Sequence, residues 1–235
     1  MEKTVIFTAE SIHHQIELLK ARYPSLDVVQ SDSLAVQLHG TLHVHRSHSG
    51  FVVNKQYTID IYIPLNSEKL PYIIDSGNCV SPDYHHRYSN GILCLETDAS
   101  IRIRFIDGFD LATWIFEYVE VYYFSYEYYT RYGEFPFGER EHGFIGCLQA
   151  FQDLLSAADL VTTYKLMKHV ATYPYRGHHN CPCGSKKHLR ACHGAAIMKF
   201  YQDKRLMDIL QQEIIYIDRE LKLFREQRKN HKSAK

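Results

Sequence analysis

The chain has 235 residues, 45% of them hydrophobic and 23% charged, with 27 basic against 27 acidic side chains and a formal net charge of zero. That length accommodates a main domain plus a small appendage, and it supplies a core large enough to need no disulfides. A neutral balance excludes a global field that would gather nucleic acid, and the lack of any run of about 18 apolar residues argues against a membrane span.

The opening MEKTVIFTAESIHHQIELLK lacks the apolar stretch of a secretory leader. The expected compartment is therefore cytoplasmic, where thiols stay reduced and clustered cysteines point to metal binding or catalysis. Periodicity predicts a first helix over 9–22, with Ile12, Ile16, Leu19 and Tyr23 on one face and Pro24 ending it. Strands follow at 34–39, 41–45 and 57–64, the last with Tyr57, Ile59, Ile61 and Ile63 alternating, and a turn at 47–50. Residues 64–71 read as an irregular connection and 76–95 as a long polar segment, of a kind that is often functional. Asp110 is a good N-cap for a helix running to about Arg131, and two more helices are expected at 144–156 and 160–173. One last helix is expected over 195–229. The fold class is α+β: a helix, an antiparallel meander and C-terminal helices, plus a small knob and a long terminal helix.

The tightest constellation is Cys181-Pro-Cys183-Gly-Ser-Lys-Lys-His-Leu-Arg-Ala-Cys192-His193-Gly. Four soft or borderline donors in so short a segment supply what a closed structural Zn2+ site needs. Cys181 and Cys183 stand too close in sequence for a relaxed disulfide, and a metal would hold together a piece too short to own a core. His178, His179 and His188 compete with His193 for the fourth position, and a free-thiol or redox cluster is the rival chemistry. Residues 180–194 closely resemble the SEC-C motif, the zinc knob at the C-terminus of the Sec translocase ATPase and on many other bacterial proteins. The chain departs from that pattern at Lys186, where glycine is usual, and at Leu189, where an aromatic is frequent. The resemblance implies a structural zinc ion on Cys181, Cys183, Cys192 and His193, and a knob that docks a partner protein rather than a catalytic metal.

Among the remaining cysteines, Cys147 lies between Gly146 and Leu148 in an expected helix and reads as core, while Cys79 follows Gly-Asn with no clear bias. Cys94 differs. It ends a polar run, His85-His86-Arg87-Tyr88-Ser89-Asn90-Gly91, whose cationic members are the kind that lower a thiol from its usual value of about 8.5; a buried, inert thiol is the competing reading. The segment Tyr88-Ser-Asn-Gly-Ile-Leu-Cys94-Leu resembles the active-site segment of ubiquitin-conjugating enzymes, where a His-Pro-Asn triplet, a short loop and a glycine precede Cys-Leu. The order of elements over roughly residues 1–130 follows that fold, and the likeness is closer to the divergent bacterial relatives found in conjugation and antiviral defence operons. The resemblance implies that Cys94 carries a ubiquitin-like modifier, received from its activating enzyme, as a thioester. The family's asparagine position falls on His86, with no proline after His85; a histidine there could donate to the oxyanion or take a proton from the incoming amine, so the catalytic candidates are Cys94, His86 and His85.

Asn90 is an accessory candidate in the same loop. Glu139, Arg140 and His142, set among glycines, either face a cleft or pair with a helix end. Glu96 and Asp98 could draw a lysine toward the thiol or belong to a solvated loop. Leu206, Leu210, Ile214, Ile217, Leu221 and Phe224 draw a stripe that packs on the chain itself or meets a partner or second copy as a homodimer. The basic tail 219–235 is a solvated helix end or a contact for an acidic partner. The expected organisation is a conjugating-type domain over 1–156, a helical connector over 157–176, the zinc knob over 177–197 and an amphipathic helix over 198–235. Two readings from other classes remain: a noncatalytic adaptor of the same (UBC/RWD-like) fold, and a ribosome- or RNA-binding protein acting through knob and tail.

Overall fold

A computed structural model describes residues 6–233, with side chains through residue 227. The last eight residues of the basic tail therefore lie outside the described side chains. In chain order the elements are α1 (Ala9–Arg22), β1 (Leu26–Ser31), β2 (Ala35–His48), β3 (Phe51–Pro64), β4 (Tyr72–Ile74), α2 (Asp98–Arg104), α3 (Leu111–Trp114), α4 (Glu120–Tyr132), α5 (Gly143–Leu155), α6 (Leu160–Thr172), α7 (Gly194–Gln202) and α8 (Lys204–Ser233). The fold class is α+β, as expected. The chain forms two compact units, Met1–Glu96 with Asp107–Glu139, and Thr97–Ile106 with Arg140–Lys235.

The first unit is built on an antiparallel meander in the order β1-β2-β3-β4. Its spine is the β2–β3 hairpin, in unbroken register from Ala35↔Pro64 to His48↔Phe51, turned by Ser49 and Gly50. Alternation puts Val36, Leu38, Leu42 and Val44 of β2 on the same buried face as Tyr57, Ile59, Ile61 and Ile63 of β3. Helix α1 starts at a reciprocal capping box between Thr8 and Ser11 and buries Ile12 and Leu19. The strand expected to break at Gly40 runs straight through it. Glycine is required there because a β-carbon would lie 1.9 Å from the Ser25 carbonyl oxygen, so the position serves close packing of the incoming chain rather than a turn.

Helix α3 is capped by Asp110, whose carboxylate accepts from the Thr113 amide. It passes through a π-helical turn over Ile115–Val119 into α4, and Gly133, at φ 75°, ends the run. This helical run contributes Trp114, Ile115, Val119, Tyr123 and Phe124 to the buried core. Tyr57 stacks on Tyr123 with ring centroids 3.9 Å apart, and its hydroxyl donates to Glu127. The buried Glu120 carboxylate accepts from Tyr23 at 2.7 Å and Arg46 at 3.0 Å, so its charge is paired.

The second unit is a helical cluster. Cys147, Leu148, Phe151 and Leu155 of α5 pack with Leu166, Met167 and Val170 of α6, Ile197 and Phe200 of α7, and Leu210, Ile214 and Ile217 of α8. Helix α5 therefore packs with the C-terminal helices, in the unit that holds Thr97–Ile106 and Arg140–Lys235. Helix α2, unexpected from the sequence, joins the same cluster through Ala99. The helix expected over 195–229 is two helices. At Asp203 the backbone turns extended, and its carboxylate accepts from the Arg205 amide and guanidinium, which hold its pKa down to about 2. Leu210, Ile214 and Ile217 of the terminal stripe are buried against the helices of this unit. No single helix among the described residues is long and apolar enough to cross a membrane; the bent pair α5–α6 passes by composition, and much of its apolar surface lies in this core.

Candidate functional site

Two clusters of reactive side chains stand out, one in each unit. In the first unit, the segment after β4 has no regular helix or strand apart from isolated bridges. Asp75 anchors its start: the carboxylate is 1% exposed, accepts from the Val80 amide at 2.7 Å and receives the Tyr123 hydroxyl. The segment returns to the sheet edge through an Ile74↔Ile92 bridge and a hydrogen bond from the Leu93 amide to Ile73. Between these ties, residues 86–94 fold back on themselves. Arg87 bridges Leu93, the Tyr88 amide donates to Ile92, and the Cys94 amide donates to the His86 carbonyl at 2.8 Å. Gly91, at φ 85°, and Asn90, whose side chain accepts from the Ile92 amide, make the turn. Asn90 is thus a turn residue.

This fold-back sets Cys94 beside His86: a ring nitrogen of His86 lies within 4.8 Å of Cys94 Sγ. Cys94 is half-buried, and the Tyr88 hydroxyl approaches its sulfur at 3.5 Å. The His86 carbonyl also accepts from Tyr122, at 3.1 Å. Burial, reinforced by Tyr84 and Cys94 nearby, pushes the Tyr122 phenol far above its usual value, so it remains a donor. Glu139 reaches the same loop: its Oε1 lies 3.1 Å from His86 Nε2 and 2.9 Å from His85 Nε2. Both imidazoles lean on Tyr84 and Phe135, and Phe135 stacks on Tyr129. A thiol, an imidazole beside it and a carboxylate on that imidazole are the parts of an activated nucleophile.

Of the accessory candidates from the 138–143 loop, Glu139 belongs to this cluster. Arg140 and His142 fall in the second unit, where Arg140 pairs with Asp153 at 3.3 Å and His142 precedes the first turn of α5. Asp98 opens α2 in that same unit. Cys147 is core, as expected, and burial raises the Cys79 thiol above its usual value. The residues that sequence reasoning missed are Tyr122 and Asp75. Neither lies in a motif, and each reaches the loop only through tertiary contact.

The second cluster is the knob. Asn180 and His188 form an antiparallel bridge, the Cys181 amide donates to Lys187 and the Leu189 amide to His179. A 3-10 turn over Leu189–Ala191 then delivers Cys192 and His193 to the start of α7. The Sγ atoms of Cys181, Cys183 and Cys192 and a ring nitrogen of His193 lie within 4.8 Å of one another and could hold a metal ion. His193 presents Nδ1, 3.2 Å from both Cys181 and Cys192, and Cys183 lies 3.6 Å from Cys192. His178, His179 and His188 are exposed and outside this grouping. Burial pushes the Cys181 thiol up to about 11. Cys183 is also penalised by burial, but hydrogen bonds from Ser185 and the neighbouring cysteines bring it down to about 6.

Two backbone positions in the knob favour glycine. A β-carbon at Gly194 would lie 2.7 Å from the Leu189 carbonyl oxygen, so Cys-His must be followed by glycine. Lys186 stands at φ 61°, the left-handed region that glycine adopts without cost. Lys186→Gly is therefore expected to strengthen the folded knob by about 0.5–1 kcal/mol, the left-handed cost being partly offset by glycine's greater freedom when unfolded. Competition with a chromophoric chelator measures this as two- to fivefold slower metal loss; faster loss would refute it. In comparisons with known proteins, no family model, no curated protein and no solved structure matches this chain.

Proposed function

We propose that the chain is a ubiquitin-conjugating-like thioester carrier of the cytoplasm, with Cys94 as nucleophile and the cysteine knob as a zinc-bound docking element. The observation that carries the proposal is the 86–94 fold-back at the edge of a four-stranded meander, which brings a half-buried thiol next to an imidazole that a carboxylate holds. The helix, meander, irregular Cys segment and following helices occur in the order that the sequence resemblance implies.

In the first step Cys94, as thiolate, attacks the carbonyl of the thioester linking the modifier's C-terminus to its activating enzyme. The new S–C bond forms, and that enzyme's thiolate leaves. In the second step an acceptor amine attacks the Cys94 thioester. His86 takes the proton that the amine must lose, Glu139 steadies the resulting imidazolium, and Cys94 departs as thiolate. Tyr88, donating toward the sulfur, favours that departure.

The knob supports a zinc reading through its donor set. Three sulfurs and one imidazole favour a soft-to-borderline ion in tetrahedral geometry, for which ligand–ligand edges of about 3.5–3.8 Å follow from zinc bond lengths. The separations of 3.2–3.6 Å lie near those edges. Four protein ligands close the site, so the ion would supply structure and leave the chemistry to Cys94.

The test is trapping. With ATP, a ubiquitin-like modifier and its activating enzyme, the chain is expected to form an adduct that reducing thiols release and that Cys94→Ala eliminates. An adduct that persists in Cys94→Ala would place the carrier on another residue, and none in the wild type would favour the noncatalytic adaptor.

A further inference from the structure

We infer that His85, His86 and Glu139 form a second metal site, one that takes a divalent transition-metal ion through two imidazole nitrogens and a carboxylate oxygen. The claim does not depend on Cys94 being a nucleophile, and an ion on His86 and Glu139 would take the base proposed above out of use, so the metal-bound form is the inactive one. His85 Nε2 and His86 Nε2 both point at the same oxygen, Glu139 Oε1, at 2.9 and 3.1 Å. All three donor atoms lie within 4.8 Å of one another. An ion with bonds of about 2.0–2.2 Å to nitrogen and oxygen brings neighbouring donors to about this separation, so binding needs only small side-chain shifts.

Preorganisation favours capture. The His86 peptide is fixed by hydrogen bonds from both the Cys94 amide and the Tyr122 hydroxyl. Phe135 meets both imidazoles edge-on at 5.5 and 5.4 Å, and Tyr84 packs on both at 5.0 and 5.6 Å. These contacts limit ring rotation, so little orientational freedom remains to be lost on binding. Access is open as well: His85 and Glu139 side chains are 39% and 41% exposed. Two imidazoles and one carboxylate make a borderline set suited to zinc, cobalt, nickel or copper rather than calcium or magnesium, with water completing the sphere. This differs in kind from the knob, whose donors are mostly sulfur.

Cobalt distinguishes the two. The full chain, preloaded with one equivalent of Zn2+, is titrated with Co2+ and followed by absorption and calorimetry. The expected result is one further equivalent with weak ligand-field bands and no sulfur-to-cobalt charge transfer. Glu139→Gln and His85→Asn should each weaken that equivalent by at least about tenfold, with circular dichroism unchanged. The inference is overturned if no second equivalent binds, if its spectrum shows thiolate charge transfer, or if both variants bind it as the wild type does. In the first of these cases the cluster is an ion pair only.

Discussion

Removing the zinc proposed for the knob is expected to unfold residues 177–194 while leaving the β-meander unit folded. Cys181, Leu189 and Gly194 of this stretch are buried, with Cys183 and Cys192 packed against the helical core. Most of its other residues are exposed or half-buried, and its backbone bonds are isolated ones such as Cys181 to Lys187, Leu189 to His179 and Arg190 to Gly177. Structural zinc contributes on the order of 10 kcal/mol in comparable small sites, far more than such bonds supply at about 1 kcal/mol each. Hydrogen exchange with and without a strong chelator measures the effect. Amides of Cys181, Leu189 and Arg190 should exchange at least about a hundredfold faster without metal, and those of the β2–β3 hairpin should not change. Cys192→Ser should behave like the chelated protein. Unchanged protection would mean that the knob stands on its own packing.

The other large effect is expected at His86. Replacing it with asparagine removes the group able to take a proton while keeping a hydrogen-bond donor beside Cys94. General-base help is worth about a hundredfold or more, so discharge of a Cys94 thioester to free lysine should fall by that order. Charging, in which thiolate replaces thiolate, should fall much less. Glu139→Gln should produce a smaller loss of the same kind, because the imidazole stays next to the thiol but loses its anionic support. Single-turnover discharge measured by gel separates these outcomes. If His86→Asn discharges at the wild-type rate, the residue acts only as a hydrogen-bond donor, and the base assigned here is wrong.

How much could be read from sequence depended on how local each feature is. The knob was almost fully legible, because its four donors and its backbone bridge lie within a few turns of chain; even the unusual Lys186 shows itself as a backbone in the left-handed region. Helix α1 was legible through its caps and apolar spacing. Strand β1 was not, because five of its six residues are exposed and it carries no alternation. Helix α2 was hidden by the strand-like pattern Ser-Ile-Arg-Ile-Arg, which tertiary context overrides through a Thr97 cap and the burial of Ala99 and Ile101. The pairing of Cys94 with His86 was what the resemblance to ubiquitin-conjugating enzymes implied, since their asparagine position falls on His86. That Glu139 reaches His86 was not legible, since that contact spans 53 positions. The break left between the strands expected at 34–39 and 41–45 does not occur, because Gly40 answers to the Ser25 carbonyl arriving from another part of the chain, which local sequence does not show.

The central claim is that Cys94 carries the acyl group, and mapping the linkage tests it most directly. Cys94→Ser, charged by the activating enzyme, should hold the modifier as an ester that survives reducing thiols. Tandem mass spectrometry of that adduct should place the modifier's C-terminus on residue 94. A linkage found at Cys79, Cys147 or a knob cysteine, or no linkage from an activating enzyme that charges other carriers, would contradict the account.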